Sequence, residues 1–535
     1  GGLSASAPTA LQFIATLFLA AVPACVITLG LLTATALAAS AQTPGGSTES
    51  AASSVPASAR LNPVILPPES KPAIHGPQIT GVTPDHPFLF RIPATGDEPL
   101  KFGCGDLPAG LKLDPKTGII SGAVTAAGRS TLRLTVSNSL GKAARTLTIV
   151  CGDHPLALTP PMGWDAVNIY SNTIDDATTR TAADALIKSG LAAHGWSYIH
   201  INDTWQGIRD KKTGEILPNR HRFPDMGALG DYIHSQGLKF GLESSATEHT
   251  CAGFPGSRGH AAQDAATYAG WGVDYLQYDW CPVPTLDETA PPTDQPAAFK
   301  EMHTALNKTG RDIVFAADTF GDRDPGDWAP GAGANTWVTS RQLYDNWTLL
   351  TQALFDRPWT ADRAGPGHWV NPGLLMVGKF GFGAVHVSHL TPSEQMTQLS
   401  QYALLSAPLW LSCDLTSLDP NAFHPSVTAM LTNDEMLDVD QDPAGHHATQ
   451  IASTRTMQVW SKPLADGTVA VGLFNTGDDV QRLRVTLAQI GMNGTQPVRD
   501  LWLHQDLGDF TGAFATDVPS HGVALVKIGK PSEPK

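Results

Sequence analysis

The chain has no surplus of positive charge and no run rich in lysine or arginine. Its 535 residues carry 35 Lys and Arg against 50 Asp and Glu, a formal net charge of −15. Nucleic acids attract basic surfaces, so this balance excludes a nucleic-acid partner and favours an uncharged substrate. The histidines show no clustering at metal-ligand spacing, so we expect no metal and no other cofactor.

Cysteine is scarce as well, with six in the whole chain. Cys104 and Cys151 lie in one predicted sandwich, where they either bridge or stay reduced. Cys413 follows the apolar run at 408–412, which predicts a buried free thiol. Cys25 lies in the N-terminal apolar stretch described next.

Long apolar runs are rare apart from residues 10–39, which are almost continuously Leu, Ala, Val, Ile and Phe. Small residues follow at 36–41, as they do before a signal-peptidase cleavage site. Residues 1–41 therefore predict an export signal and a secreted or periplasmic product. The run is also long enough to span a bilayer, so a retained anchor stays open as the one route to a membrane partner.

Composition and periodicity divide the rest of the chain into four parts. Residues 42–75 are rich in Ser, Ala, Pro and Gly, which is typical of a disordered linker. Short alternating runs predict an Ig-like β-sandwich over 76–153 and a second antiparallel β-sandwich over 446–535. Between them, at 154–445, strands alternate with helices such as Asp225–Gln236, and this alternation predicts an α/β fold with a parallel sheet.

Acidic residues end four of the predicted strands in this central part. They recur at intervals of 36 to 40 residues, as expected of a (β/α)8 barrel whose strand ends share one pocket: Asp203, Glu243, Asp279 and Asp318. Two carboxyl groups that face one sugar can carry out glycoside hydrolysis, and an exported acidic protein with 13 tryptophans fits an oligosaccharide or glycoside substrate.

Several segments resemble glycoside hydrolase family 27, the α-galactosidase and α-N-acetylgalactosaminidase family. They are 159–164 (TPPMGW), 237–242 (GLKFGL), 250–256 (TCAGFPG), 272–281 (GVDYLQYDWC) and 441–445 (QDPAG). The resemblance implies a retaining hydrolase with Asp279 as the nucleophile and a disulfide between Cys251 and Cys281. Residues 107–122 resemble the Ig-like modules that accompany secreted bacterial enzymes.

The remainder of the implied pocket departs from the family pattern. A paired aspartate is Asn202 here, a tyrosine is Glu243, and the lysine two residues before the nucleophile is Gln277. Asp318 and Val338 stand where the family has a cysteine and an arginine. The substrate-binding positions implied by the resemblance are Trp164, Asn202, Asp203, Gln277 and Asn371, and Arg341 is added because it stands next to Gln342.

The family's catalytic acid/base falls on Gln342, whose amide cannot protonate a leaving group. Loss of general acid catalysis costs about 10²–10⁴-fold in rate. Three carboxyl groups could replace it: Glu243, Asp318 and Asp345. We favour the first two, because Asp345 is expected to face the start of a helix. Arg341 either restores the positive charge lost at Gln277 and Val338 or forms a surface ion pair.

Three functions are consistent with this pattern. The leading one is a secreted retaining glycosidase with an altered substrate preference, acting on an α-linked sugar. The second is a catalytically impaired, carbohydrate-binding pseudoenzyme. The third is a metal-assisted hydrolase in which the four strand-end acids hold a cation such as calcium.

Overall fold

The computed structural model describes residues 55–281, 294–321, 324–341, 344–356, 363–381, 384–418 and 425–531. The predicted leader, residues 1–41, lies outside these ranges. In the described ranges, no helix is both long enough and apolar enough to cross a bilayer.

Nine strands form the N-terminal module, and they confirm the Ig-like sandwich. Its two main sheets have the strand orders β2-β9-β8-β5 and β3-β7-β6. In β8 the alternate residues Leu132, Leu134 and Val136 point into the core between the sheets. The strands are β1 (Ala73–Ile74), β2 (Ile79–Val82), β3 (Pro87–Arg91), β4 (Ala94–Thr95), β5 (Lys101–Cys104), β6 (Leu111–Leu113), β7 (Ile119–Ala123), β8 (Gly128–Asn138) and β9 (Gly141–Cys151).

The two cysteines of this module do not bridge. Cys104 and Cys151 are both free, and each thiol points to a backbone carbonyl oxygen, of Gly105 and of Val124 respectively. Of the two alternatives that the sequence left open for Cys104 and Cys151, a disulfide or reduced thiols, the structure shows reduced thiols. Cys413 is free and fully buried, as predicted.

Twelve strands are described in the central part of the chain. They are β10 (Met162–Asp165), β11 (Tyr198–Ile201), β12 (Gln206–Arg209), β13 (Ile216–Pro218), β14 (Lys239–Ser245), β15 (Tyr275–Asp279), β16 (Val314–Asp318), β17 (Thr336–Val338), β18 (Trp369–Asn371), β19 (Lys379–Phe380), β20 (His386–Val387) and β21 (Leu409–Leu411). Eight of them form a parallel sheet in the order β18-β17-β16-β15-β14-β11-β10-β21. A parallel bridge from Leu375 to Leu411 then connects the segment after β18 to β21, so the sheet closes as the predicted barrel.

Nine helices are described, and most of them cover the outside of the barrel. They are α1 (Val167–Tyr170), α2 (Asp176–Lys188), α3 (Met226–Ser235), α4 (Ala261–Gly270), α5 (Asp294–Leu306), α6 (Trp347–Phe355), α7 (Pro392–Leu405), α8 (Pro425–Leu431) and α9 (Asp434–Asp440). Asp225 caps α3 by accepting a hydrogen bond from Ala228 N–H, which confirms the helix predicted there.

Aromatic rings fill the barrel interior near the N-terminal ends of the strands. The rings of Tyr198, Tyr275 and Trp410 pack with centroids 4.8 to 5.9 Å apart. Gly163 makes this packing possible, because a Cβ at its position would lie 2.5 Å from the Tyr198 Cβ and 2.7 Å from the Trp410 ring. The interior is thus closed below the pocket, and chemistry is confined to the C-terminal ends of the strands.

The C-terminal part confirms the second β-sandwich. A six-stranded sheet, β22-β23-β24-β29-β26-β27, faces the pair β25-β28 across an apolar core. Its strands are β22 (Thr449–Ser453), β23 (Met457–Pro463), β24 (Val469–Asn475), β25 (Gln481–Thr486), β26 (Thr495–Asp500), β27 (Gln505–Thr511), β28 (Ala513–Val518) and β29 (Val523–Ile528).

Part of the predicted linker is ordered, so the expectation of disorder is wrong there. Residues Ala57–Arg60 form a 3-10 helix, and the Arg60 guanidinium is buried against the C-terminal sandwich, 2.7 Å from Asp500 Oδ2. A buried, charge-assisted hydrogen bond fixes this segment although its composition resembles that of a linker.

Candidate active site

The strand ends bring the predicted acids together in two layers. In the register of the parallel strands Glu243 lies beside Gln277, and one layer higher Ser245, Asp279 and Asp318 lie side by side. In each strand, residues two apart point to the same side, so all of these side chains face the barrel interior.

Asp279 is held in place from several directions. Its side chain Oδ1 accepts a hydrogen bond from Gln277 Nε2 at 3.2 Å, and the same amide lies 3.4 Å from Asp318 Oδ2. The backbone carbonyl oxygen of Asp279 accepts hydrogen bonds from Ala246 N–H and Ser245 Oγ. The neutral Gln277 amide therefore contacts both carboxyl groups, at the position where the family pattern has a positively charged lysine.

The environment of Glu243 favours its protonated form. Burial, and then the charge of Asp279, raise the pKa of Glu243 well above its usual value. Burial and Asp318 also raise the pKa of Asp279, whereas a hydrogen bond from Glu243 opposes that rise. We therefore place the proton between them on Glu243, whose carboxyl group donates a hydrogen bond to Asp279.

The environment of Asp318 shifts its pKa toward neutrality. Burial raises the pKa of Asp318 to about 6, although the backbone N–H of Phe320, 2.8 Å from Oδ1, opposes the rise. Asp165 adds a like charge. A carboxyl group with such a pKa can both release and recover a proton near pH 6.

Asp203 is tied to the loop that carries the disulfide. Its Oδ2 accepts a hydrogen bond from Ala252 N–H at 2.8 Å and its Oδ1 one from Thr204 N–H at 2.6 Å, while burial still raises its pKa. The implied disulfide between Cys251 and Cys281 is present. It joins this loop to the end of β15, two residues beyond Asp279.

Asp165 and His200 belong to the same group, and sequence reasoning missed them. Asp165 ends β10, the first barrel strand, and its Oδ2 lies 2.7 Å from His200 Nδ1. Applying the strand-end rule one strand earlier would have found Asp165. His200 lies inside a strand among apolar residues, where no sequence signal separates it from the core.

The predicted substrate-binding residues fall into different places. Asn202 is 5% exposed and its Oδ1 has no hydrogen-bond partner, whereas Asn371 Oδ1 accepts a hydrogen bond from Gly373 N–H. Trp164 is fully buried in the core between the sheet and the helices, and its indole N–H donates to Cys413 O. That placement does not fit substrate binding. Arg341 is exposed, and Gln342 lies outside the described residues.

Asp345 is separate from the strand-end acids. It lies just before the capping residue Asn346 of α6, as expected, and its Oδ2 is 3.1 Å from His386 Nε2 and 2.8 Å from His389 Nδ1. Burial raises the pKa of Asp345, but the His389 N–H and the two imidazoles lower it more, so the net shift is downward. This environment stabilises the ionised carboxylate, whereas a general acid has to be protonated in order to act.

The fold brings some histidines together with aspartates. Among the described residues, His75, His194 and Asp434 form one group whose ligand atoms lie within 4.8 Å of one another, and Asp345, His386 and His389 form another. A third group joins Asp279 to the two disulfide cysteines, whose sulfurs are already bonded. None of these groups contains Asp203, Glu243 or Asp318.

A cleft of about 370 Å³ lies at the opposite end of the barrel. Residues of the Ig-like module line it together with residues at the N-terminal ends of strands, among them Tyr198, Lys239 and Val314. Catalytic groups of such barrels lie at the C-terminal ends of the strands, so this cleft is not the site formed by the acids.

Comparison with known proteins agrees with this architecture. The family model for α-galactosidase A matches residues 159–442, the model for the α-galactosidase C-terminal β-sandwich domain matches 454–528, and an Ig domain model matches 71–152. An α-galactosidase of Cyamopsis tetragonoloba is 36% identical over 379 residues, which are 70% of this chain and 87% of that protein.

Solved structures show the same similarity. A Bacteroides fragilis protein has a TM-score of 0.79 and 30% identity, covering 88% of this chain and 100% of its own. The α-galactosidase I of Mortierella vinacea has a TM-score of 0.62 and 31% identity, covering 71% of this chain and 100% of its own. The resemblance seen in the sequence is thereby confirmed: the chain belongs to glycoside hydrolase family 27, the α-galactosidase A family.

Proposed function

We propose that the chain is a retaining glycoside hydrolase for an α-linked sugar, with Asp279 as nucleophile and Asp318 as acid/base. One observation carries this proposal. The two carboxyl groups lie side by side in register at the C-terminal ends of β15 and β16, and the Gln277 amide contacts both. A retaining mechanism needs one such pair around the scissile bond.

The reaction has two steps. First, an Asp279 oxygen bonds to the anomeric carbon, the bond from that carbon to the leaving-group oxygen breaks, and Asp318 gives its proton to that oxygen. Then Asp318 takes a proton from water, the water oxygen bonds to the anomeric carbon, and Asp279 leaves as a carboxylate. Two inversions at one carbon retain its configuration.

The acid/base must release its proton in the first step and recover one in the second. Asp318, with a pKa of about 6, suits both demands near neutral pH. Burial and the neighbouring charge of Asp279 raise the pKa of Glu243, and its hydrogen bond to Asp279 fits the protonated form of the Glu243 carboxyl group. Its role is to donate a hydrogen bond that orients Asp279.

The nucleophile is tested with 4-nitrophenyl α-galactoside and α-galactosyl fluoride. We expect Asp279→Asn to lower kcat by about 10³-fold or more on both substrates, because the amide cannot form the covalent intermediate. The matched control is Asp231→Asn, an exposed carboxyl on α3, which should leave turnover unchanged. Equal turnover by wild type and Asp279→Asn would exclude the mechanism.

The acid/base is tested by azide rescue. In Asp318→Ala the fluoride, which needs no protonation to leave, should still form the glycosyl-enzyme, and azide should then attack it to give an α-glycosyl azide. Glu243→Ala should give no azide product. The reverse pattern would assign the acid/base role to Glu243.

A pseudoenzyme is the second candidate, and Gln342 at the family's acid/base position is the observation that favours it. It predicts saturable sugar binding by calorimetry with no release of nitrophenol or fluoride from any activated glycoside. Release above the Asp279→Asn background contradicts it.

A further inference from the structure

Asp345 meets two histidines on the same side of the barrel as the strand-end acids. Its Oδ2 lies 3.1 Å from His386 Nε2 and 2.8 Å from His389 Nδ1. Asp345 is on the loop after β17, and the histidines belong to the β19–β20 hairpin and the residues just after it. The N–H of Gly381 in this hairpin donates to Asn168 O, just after β10, which places the hairpin at the C-terminal ends of the strands. Asp345 precedes His386 by 41 residues, so the expectation of no metal, which came from spacing along the chain, did not take this group into account.

Both ring nitrogens of His386 face oxygen atoms that accept hydrogen bonds and cannot donate them. Nε2 faces the ionised Asp345 carboxylate, and Nδ1 lies 3.2 Å from the carbonyl oxygen of Ala384. A neutral imidazole has a single N–H, so in either tautomer one of these two contacts contains no hydrogen. Either a second proton on the ring or a cation between the ring and the carboxylate completes the arrangement.

The stacking of the two imidazoles favours the cation. The His386 and His389 rings have centroids 4.5 Å apart and planes inclined by 23°, and each ring points a nitrogen at the same Asp345 oxygen. Two protonated rings in this arrangement repel each other, whereas two neutral rings direct their lone pairs at one metal ion. The Ala384 carbonyl oxygen then accepts the Nδ1 proton of His386, as carbonyl groups commonly do for metal-bound histidines.

We propose that Asp345, His386 and His389 form a binding site for a divalent transition-metal ion of the zinc class, separate from the strand-end acids. Imidazole and carboxylate ligands suit zinc, cobalt, nickel and copper, whereas calcium and magnesium take oxygen ligands. Ligand atoms at about 2.0–2.2 Å from zinc with tetrahedral angles lie about 3.4 Å from one another, and three protein ligands leave a fourth position for water. The two distances here are slightly shorter, and the His389 side chain is 71% exposed, so it can shift outward to admit the ion.

The group formed by His75, His194 and Asp434 is explained without a metal. His75 Nε2 lies 2.8 Å from Thr95 Oγ1, a hydroxyl that can donate, while His75 Nδ1 can donate to Asp434 Oδ2. His194 Nδ1 can donate to the other Asp434 oxygen. Neutral imidazoles therefore satisfy these contacts, and we assign the ion to the Asp345 group alone.

Zinc titration by calorimetry tests the site on the full chain after treatment with a chelator. At pH 7.5 we expect wild type to bind Zn²⁺ saturably. His389→Gln replaces an exposed ligand and should weaken this binding by about tenfold or more, since losing even a partner of a metal ligand costs about 10–100-fold. Asp345→Asn should weaken it as well. The matched control is His221→Gln, an exposed histidine in neither histidine group, which should bind Zn²⁺ like wild type.

Thermal unfolding gives a second measurement. A ion that binds only the folded chain stabilises it, so Zn²⁺ should raise the Tm of wild type and of His221→Gln, and a chelator should reverse the rise. His389→Gln should lose most of this rise. Calcium should leave all three Tm values unchanged, because two of the three ligands are imidazoles.

Three results would overturn the inference. If wild type shows no saturable Zn²⁺ binding, Asp345 and the two histidines form an ion-pair group in which His386 is protonated. If His389→Gln and Asp345→Asn bind Zn²⁺ as wild type does, the ion lies elsewhere. If calcium binds as tightly as Zn²⁺, imidazoles do not form the site. None of these measurements uses glycoside hydrolysis, so they leave the proposed hydrolase function to its own tests.

Discussion

At the residue scale, Asp318 should set the alkaline limit of activity. A general acid works only while protonated, and the pKa of Asp318 is about 6, so kcat/KM for a nitrophenyl glycoside should fall as the pH rises above about 6. The glycosyl fluoride needs no acid and should show a flatter profile. Measuring both profiles in one buffer series checks this, and equal alkaline limbs for the two substrates would contradict it.

We expect the Glu243 carboxyl group to lower the stability of the folded protein at neutral pH. Its pKa in the folded chain lies above the unfolded value of 4.5, so unfolding releases a proton at neutral pH and stability falls as the pH rises above 4.5. Glu243→Gln keeps a donor for Asp279 but cannot ionise. We expect its Tm to exceed that of wild type by about 2 °C or more at pH 7 and the difference to shrink toward pH 4.5.

Calorimetry at the two pH values measures this difference. Exposed Glu248→Gln is the matched control, with no expected change at either pH. A Glu243→Gln protein less stable than wild type at pH 7 would show that the carboxyl group stabilises the fold.

The sequence predicted the strand-end acids because the repeat of the βα units is visible in it. Trp164 was misplaced because a motif match does not tell which side of a strand a residue faces: its neighbour Gly163 points inward, so Trp164 points outward to the helices. The Asn202 acceptor could not be foreseen either, since the absence of a partner is a property of the folded structure alone.

At the scale of secondary structure elements, Asp434 joins β1, the 3-10 helix Leu191–His194 and α9. Its two oxygens lie 2.9 Å from His75 Nδ1 and 2.8 Å from His194 Nδ1, and the two rings stack with centroids 4.9 Å apart. Burial raises the pKa of Asp434, but its hydrogen bonds to the imidazoles outweigh this and lower the pKa to about 2. The group is built from residues far apart in the chain, so spacing could not reveal it.

Asp434→Asn should therefore destabilise the protein in a pH-dependent way. The lowered pKa contributes stability above the unfolded value of 3.8, and that contribution is lost as the pH falls through about 2. We expect a cost of about 1–2 kcal/mol at pH 7, discounted for the 30% exposure of the side chain, and a smaller cost at pH 3.

Urea unfolding at the two pH values measures this cost. Asp438→Asn on the same helix, whose ion pair to Arg145 is half-exposed, is the control and should cost less than about 1 kcal/mol at pH 7. A cost for Asp434→Asn that is equal at pH 7 and pH 3 would mean that the carboxylate charge does not contribute.

At the scale of the whole molecule, the segment before the Ig-like module connects it to the C-terminal sandwich. The Arg60 and Asp500 side chains are 1% and 0% exposed. Breaking a buried pair leaves a buried charge alone, so Arg60→Met should cost about 3–5 kcal/mol. Adding Asp500→Asn should recover part of that loss, because no uncompensated charge then remains.

Denaturant unfolding of the single and double variants measures the coupling. Arg482→Met, which breaks an exposed pair to Asp517, is the control and should cost less than about 1 kcal/mol. An Arg60→Met protein as stable as its control would show that the predicted linker contributes nothing. The domain order followed from composition and periodicity, whereas this long-range contact could not, since it depends on two segments whose local patterns are unrelated.

The Ig-like module and the cluster of carboxyl groups lie at opposite ends of the barrel. The module contacts the N-terminal ends of the barrel strands: Arg91 donates to Gln236 O just before β14, and Thr83 N–H donates to Asp312 just before β16. The carboxyl groups lie at the other end of those strands. A protein attached to a bead or a polysaccharide surface through this module would hold its pocket away from the support and toward dissolved substrate. Immobilisation through the module should therefore leave turnover intact. Attachment through the βα loops should block turnover.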